Sequence, residues 1–320
     1  MRVVVVDPSR SVLQSIERLL ATRNHEVRTF LDAGEALEYL RCDPNVGALI
    51  TNDELRPGSD ISGIELCWEA RLVASCRRPI YIILMSCDRD PKKLIEALDS
   101  GADDFIGKPP IAEELYARLR SAERLANMQQ ELLRLALTDP LTGVLNRRAF
   151  FERAVEVCGR AYDLDALSAI VIDIDRFKRI NDLHGHDIGD TVIRKIAEAI
   201  TTEPAIIGRL GGEEFAMVLE GCDLPAALRI AGRLRTRVAR LRAEAQGEAL
   251  QLTCSFGVSE WQAGDTIDVL LKRADIALYA AKTGGRNRVV AFDRDLIEAI
   301  DYHATSRRVR TAVRGATPSN

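Results

Sequence analysis

The chain lacks the cysteine and histidine patterns that hold metals. Its seven cysteines are scattered, odd in number and without a Cys-x-x-Cys pair, and its four histidines have no ligand spacing. A zinc site and a disulfide framework are therefore not expected; free thiols in a reducing cytoplasm are. No apolar run approaches the length of a membrane span. The stretch from Met1 to Asp7 is too short to read as a signal peptide. A basic excess is also missing: the formal net charge is -4. That argues against a general nucleic-acid binder, and no basic recognition helix suggests a DNA-binding regulator. A nucleotide site needs only a few local cations and stays open.

What is present suffices for two soluble globular domains, with 320 residues, 47% hydrophobic and 29% charged. Up to about residue 110, short apolar runs alternate with amphipathic stretches. Strands are predicted over 3–6, 48–51 and 80–85, and helices over 11–21, 33–41, 63–74 and 91–100. Such alternation implies a doubly wound parallel sheet covered on both faces. Its chemistry belongs beyond the carboxyl ends of the strands, where Asp7, Asp53, Ser86 and Lys108 stand. An acid pair, a hydroxyl and a lysine there suit Mg²⁺ and a phosphoryl group. Residues 111–137 form one helical pattern with Leu115, Leu119, Ala122, Leu125, Leu132 and Leu135 or Ala136 at near-heptad spacing and Gln129 breaking the seam. Its first part reads as a last helix of the sheet domain. The exposed leucine seam beyond needs a partner, and a parallel coiled coil with a second copy satisfies it.

The second half centres on Arg209-Leu210-Gly211-Gly212-Glu213-Glu214-Phe215. Apolar runs over 205–210 and 215–219 flank two glycines, which reads as a hairpin with adjacent carboxylates at its tip. Gly211 and Gly212 have no Cβ and let a large ligand approach the backbone. Tip carboxylates suit a hard divalent cation and its phosphate ligand, and a solvated acidic turn is the plain alternative. A second acidic turn, Asp173-Ile174-Asp175, ends the apolar strand over 168–172, and both can converge on one metal. Helices are expected from Arg147 to about 159, from about 186 to 201, from 225 to 245 and over 267–282. Further strands are expected over 251–258 and 288–292. Residues from about 303 onward read as a frayed polar tail.

The second half resembles the GGDEF domains of diguanylate cyclases in their GGEEF form. The resemblance covers about 138–292, opens on Asp139-Pro140-Leu141-Thr142-Gly143 and continues through Asp173 to Asp182 and the hairpin. It implies an α+β, ferredoxin-like, nucleotide-cyclase-like sheet with helices on one face. It also implies Mg²⁺ (or Mn²⁺) on Asp173, Glu213 and the Ile174 carbonyl. Glu214 would assist deprotonation of the ribose 3′-hydroxyl. Asn181 and Asp190 would read guanine, and an aspartate accepts from guanine N1–H and N2–H₂ where adenine offers no N1 donor. Helix capping is the plain alternative for both. Phe177, Lys178, Lys282 and Arg286 match substrate-binding positions. The family's Arg-x-x-Asp product-inhibition site is replaced by Thr202 and Ala205.

The first half resembles a response-regulator receiver domain. By that resemblance Asp53 is the phosphoacceptor, Ser86 and Phe105 are the switch residues, and Lys108-Pro109 is the pair usually held cis. Two features depart from it. Pro8 replaces a second acid, which confines the metal role to Asp7 and Asp53, and the loop over 57–63 is longer. Losing a metal ligand weakens phosphoryl transfer; a degenerate receiver kept for dimerisation is the alternative. The expected organisation is a receiver-like domain over 1–121, a coiled-coil linker over 122–137, the cyclase domain over 138–295 and a tail over 296–320. The resemblances imply a cytoplasmic homodimer that condenses two GTP into cyclic di-GMP under a histidine kinase, without nucleic acid or membrane span. The rival is a catalytically silent nucleotide-binding signalling scaffold.

Overall fold

The computed structural model describes residues 1–55, 61–75, 78–88, 91–160, 166–245 and 248–296. The lengthened loop over 57–63 falls largely outside these residues, as does the tail beyond 296. The chain divides into two compact units, Met1–Arg134 and Leu135–Asn320.

In the first unit, β1 (Arg2–Val6), α1 (Arg10–Ala21), β2 (Glu26–Phe30), α2 (Ala33–Cys42), β3 (Val46–Asn52), α3 (Gly63–Val73), β4 (Tyr81–Ser86), α4 (Pro91–Asp99) and β5 (Asp104–Gly107) alternate. They form one parallel sheet of order β2-β1-β3-β4-β5. The valines of β1 explain why both faces need cover. Val4 and Val6 pack with α2 and α3, while Val3 and Val5 pack on the opposite face. Ser62 and Glu65 close a reciprocal capping box at the start of α3. Gly63 stands directly after Ser62 because a Cβ there would lie 1.9 Å from the Asn52 carbonyl oxygen. That close approach sets the start of α3 against the end of β3, beside Asp53. The Lys108–Pro109 bond is cis. Then α5 runs without a break over Ala112–Leu137, burying Leu115, Leu119 and Ala122.

The second unit comprises α6 (Arg147–Gly159), β6 (Leu167–Ile174), α7 (Phe177–His184), α8 (His186–Ile200), β7 (Ile206–Gly211), β8 (Glu214–Glu220), α9 (Leu224–Arg240), β9 (Arg242–Ala245), β10 (Glu248–Gln251), β11 (Cys254–Glu260), α10 (Ile267–Thr283) and β12 (Val289–Ala291). Its sheet has the order β12-β11-β6-β8-β7, with β9 and β10 as a separate ribbon. All eight residues of the central β6 are buried. Ile170, Ile172 and Ile174 face a core shared with α8 and α9. Ala169 and Val171 face a second core with α6 and α10. Helices therefore cover both faces, not one, because a strand apolar on both sides needs burial on both. The α9 helix stops at Arg240 instead of 245, since Arg242–Ala245 pairs with Glu248–Gln251. Strand β6 continues through Asp173 and Ile174, so only Asp175 belongs to the turn.

Candidate active site

The hairpin tip is narrow. Gly211 pairs with Glu214, leaving Gly212 and Glu213 as the turn, with Gly212 at φ +31°. A Cβ added at Gly211 or Gly212 would meet nothing within 4 Å, so the backbone is open to a ligand here. Arg209 fixes the turn from behind: its Nε and Nη2 donate to the Gly212 carbonyl at 3.0 and 2.7 Å. Its Nη1 reaches both oxygens of Asp139 at 3.0 and 3.1 Å. Asp139 also accepts from the Thr142 amide (3.0 Å) and hydroxyl (2.7 Å). Burial pulls the Asp139 carboxyl upward, but Thr142 and Arg209 outweigh it and hold it below its ordinary value. The motif that opens the domain thus clamps the hairpin 70 residues away.

Sheet pairing assembles the acids. Asp173 lies directly across from Glu214 on β8 and from Ser255 on β11. The Ile174 amide donates to the Glu213 carbonyl at 3.4 Å. Asp173 is buried, and its Oδ2 sits 2.7 Å from Lys282 Nζ. Burial pushes its carboxyl up to about 6; Lys282 opposes the rise, and the Glu213 and Glu214 carboxylates add to it. The donors here, two carboxylates and the Ile174 carbonyl, are all oxygen. That set fits a hard divalent cation, which would relieve the repulsion among the acids. Among the described residues no three His, Cys, Asp or Glu side chains cluster closely enough to hold a metal by themselves. Lys178 and Arg286 are exposed, and no side chain caps the start of α7, which begins at Phe177.

Asn181 on α7 packs closely against Gly189 on α8, the residue before Asp190. Gly189 makes this possible, since its Cβ would lie 1.9 Å from Asn181 Oδ1. That oxygen is buried and has no hydrogen-bond partner among the described residues. Neither residue caps a helix. Phe177 is placed otherwise than expected: its ring is buried in the core with Ile180 and Val192, which leaves only its backbone for a ligand. Asp175 faces the protein. Its carboxylate accepts from the Thr253 hydroxyl (2.7 Å), the Ser255 hydroxyl (2.6 Å) and the Asn287 amide (2.9 Å). At the replaced inhibition site, Thr202 is engaged by Arg237 and Glu203 pairs with Arg233. The roles of Arg209, Asp139 and Asp175 escaped the sequence reading, although all three sit inside the motifs it singled out.

In the first unit, the ends of β1, β3, β4 and β5 gather Asp7, Asp53, Ser86 and Lys108. Lys108 Nζ pairs with buried Asp7, whose Oδ1 also accepts from the Ser9 amide at 2.8 Å. Ser86 Oγ donates to Asp53 Oδ2. Lys93 Nζ lies 3.9 Å from the same Asp53 oxygen and 3.3 Å from Asp88. Phe105 is half-buried on β5 against the α2–α3 side of the core.

A doubly wound domain with an acid-and-lysine cluster therefore precedes a five-stranded sheet domain with an acidic hairpin. Residues 3–120 match the family model of the response regulator receiver domain, and 136–288 that of the diguanylate cyclase, GGDEF domain. The chain belongs to the GGDEF family, with a receiver-family domain in front. It is 34% identical over 303 residues to the response regulator PleD of Caulobacter vibrioides, covering 90% of this chain and 65% of that protein. It is 38% identical over 170 residues to the diguanylate cyclase DgcM of Escherichia coli, covering 51% of this chain and 40% of that protein. The chain therefore spans less than two thirds of either relative. The solved coiled coil and GGDEF domain of DgcB from Caulobacter crescentus, in complex with c-di-GMP, is 34% identical. That match covers 55% of this chain and 98% of that one with a TM-score of 0.50. No helix among the described residues is long and apolar enough to cross a membrane.

Proposed function

We propose that this chain condenses two GTP into cyclic di-GMP, releasing two pyrophosphates, under the control of its receiver domain. The observation that carries this reading is the intact acid hairpin set against Asp173 and Lys282. Asp173, Glu213 and the Ile174 carbonyl would hold Mg²⁺ or Mn²⁺, which draws charge from the triphosphate when bound. Lys282, Arg286, Lys178 and the uncapped start of α7 bind and orient the phosphates. Asp190 and the orphaned Asn181 Oδ1 accept from the guanine edge, which favours GTP over ATP. Glu214, exposed at the start of β8, takes the 3′-hydroxyl proton as that oxygen attacks the α-phosphate of the opposing GTP. The bond to the β-phosphate breaks and pyrophosphate leaves.

One domain presents one GTP, so two chains must meet. Leu125, Met128, Leu132 and Leu135 on α5 are each more than half exposed and follow a three-four-three spacing. They support a parallel helical pair over about 122–137 that joins a receiver-like domain over 1–121 to a cyclase domain over 138–295. In the receiver, Asp53 is the acceptor, with Ser86, Phe105 and Lys108 as its switch. With Pro8 in place of an acid, Asp7 and Asp53 would hold the cation, and Lys108 and Lys93 compete for them. Phosphorylation, from an upstream histidine kinase in the cytoplasm, is then slow or needs high Mg²⁺. Incubating the pure chain with GTP and Mg²⁺ and separating the nucleotides tests the proposal. Cyclic di-GMP and pyrophosphate are expected; unchanged GTP, or equal turnover of ATP, would overturn it.

A further inference from the structure

Asp175 is a buried carboxylate that the chemistry above does not use. It follows the two residues assigned to the metal, yet its own oxygens face the protein. Oδ1 accepts from the Ser255 hydroxyl, and Oδ2 from the Thr253 hydroxyl and the Asn287 amide. Its backbone amide donates to the Thr253 carbonyl at 2.9 Å. One side chain therefore ties three segments together: the end of β6, the start of β11 and the turn after α10. No salt bridge to Asp175 is found among the described residues. Three charge-assisted hydrogen bonds compensate its burial instead.

The turn after α10 needs such an anchor. Gly285, Arg286 and Asn287 are consecutive residues with positive φ, +125°, +65° and +46°. Two of them carry side chains, which make this conformation unfavourable. The turn is pinned at its start, where the Arg286 amide donates to the Ala281 carbonyl at 3.0 Å. At its end, the Asn287 amide is held by Asp175. Arg176, directly after Asp175, is a further non-glycine residue at positive φ, +58°. Of the four such residues among the described residues, three lie next to Asp175 or at the turn it holds. Strain of this kind persists only where surrounding bonds over-determine it.

We infer that Asp175 is a positioning residue that holds the left-handed turn so that Arg286 and Lys282 face the same anion as Asp173. This rests on the reading of Lys282 and Arg286 as phosphate-binding groups. The guanidinium of Arg286 is exposed and has no partner among the described residues, so only its backbone sets where it can reach. Lys282, in the last turn of α10, already touches Asp173. With β6 and the turn joined through Asp175, cation and acid keep their separation before substrate arrives, and the site is preorganised.

The distinction from a metal-binding or general-base role lies in the response to Asn. Asp175→Asn keeps an acceptor for the Asn287 amide and lets the Ser255 hydroxyl turn to accept, but it loses the charge. Asp175→Ala loses all three side-chain bonds and leaves the Asn287 amide without its acceptor. In the full chain, binding of a GTP analogue with a methylene between its α- and β-phosphorus is measured by calorimetry with Mg²⁺. Asp175→Ala is expected to weaken it about tenfold, and Asp175→Asn to recover it to within about threefold. In an Arg286→Ala background, Asp175→Ala should weaken binding by far less than tenfold, because the two act through one contact. Undiminished binding in Asp175→Ala, an Asn variant as poor as Ala, or full additivity with Arg286→Ala would each overturn the inference.

Amide hydrogen exchange over 284–288 provides a readout independent of substrate. Asp175→Ala should accelerate exchange at Asn287 and its neighbours; unchanged protection would overturn the inference. If Arg286→Ala alone bound the analogue normally while exchange accelerated as expected, the phosphate assignment of Arg286 would fail and the anchoring role of Asp175 would stand. Should Asp175→Ala not fold, Thr253→Val keeps the carboxylate and removes one donor that aims it. It is expected to accelerate the same exchange to a smaller degree, and unaltered exchange would count against the inference equally.

Discussion

Replacing Asp173 by asparagine should destroy function and strengthen the fold at once. The Asp173 side chain is only 9% exposed, so solvent screens it little. Its carboxyl is pushed up to about 6, from an ordinary 3.8, by burial and by the nearby Glu213 and Glu214. A raised pKa means that the folded state binds the proton more tightly than the unfolded chain. The ionised carboxylate is therefore destabilising above about pH 6, and that penalty fades as pH falls toward the unfolded value. The difference between the two values corresponds to about 3 kcal/mol as an upper figure. Asparagine has the same shape and no charge, while the Lys282 ammonium it leaves behind is 30% exposed and can hydrate. We expect Asp173→Asn to stabilise the cyclase unit by about 1–3 kcal/mol near pH 8, on the order of 3–10 °C in unfolding midpoint. The gain should disappear by about pH 4. Thermal unfolding of both proteins in EDTA, followed across this range, measures it. A loss of stability near pH 8, or a gain of equal size at both ends, would refute the electrostatic account of the acid cluster.

Further outcomes follow from the same geometry. Because a divalent cation must displace the Asp173 proton, its affinity with GTP should fall as pH drops below about 6, approaching tenfold for each further pH unit; a flat profile down to about pH 4.5 would contradict this. Arg209→Ala frees the Gly212 carbonyl and leaves Asp139 without its guanidinium. It should cut turnover on the order of tenfold or more, with hairpin amides exchanging faster, and unchanged exchange would exclude the clamp. Leu125→Lys with Leu132→Lys should lower turnover per chain at low protein concentration, and a fully active monomer by light scattering would end the linker-pairing proposal. Cyclic di-GMP should not bind tightly enough to inhibit, since Thr202 and Ala205 carry no charge for it. Stoichiometric inhibitory binding by calorimetry would point to another site.

The sequence disclosed the elements whose signals are local. Apolar runs marked β1, β3, β4 and β6, and Gly211-Gly212 between two such runs marked the hairpin. Edge strands were harder: β2 reads Glu-Val-Arg-Thr-Phe, lies largely exposed and pairs only with β1, so it lacks a buried run. The four-residue β5 is too short to show a period. The end of α9 was overrun because Arg242–Ala245 continues a helix-compatible pattern, and only its pairing with Glu248–Gln251 makes it a strand. Within the site, the acids and cations were visible by type and motif, but their couplings were not. Arg209 to Asp139, Lys282 to Asp173 and Asp175 to Asn287 join residues 70 or more positions apart. No spacing rule reaches that far. Phe177 shows the converse, a motif residue whose ring is claimed by the core.

The most direct measurement is a product analysis of wild-type chain beside Glu213→Gln, each incubated with radiolabelled GTP and Mg²⁺ and resolved by chromatography. The wild type should yield cyclic di-GMP with two pyrophosphates per product. Glu213→Gln, folded as judged by circular dichroism, should form it at least about a hundredfold more slowly. A wild type that makes no dinucleotide, or a Glu213→Gln variant that matches it, would contradict the account.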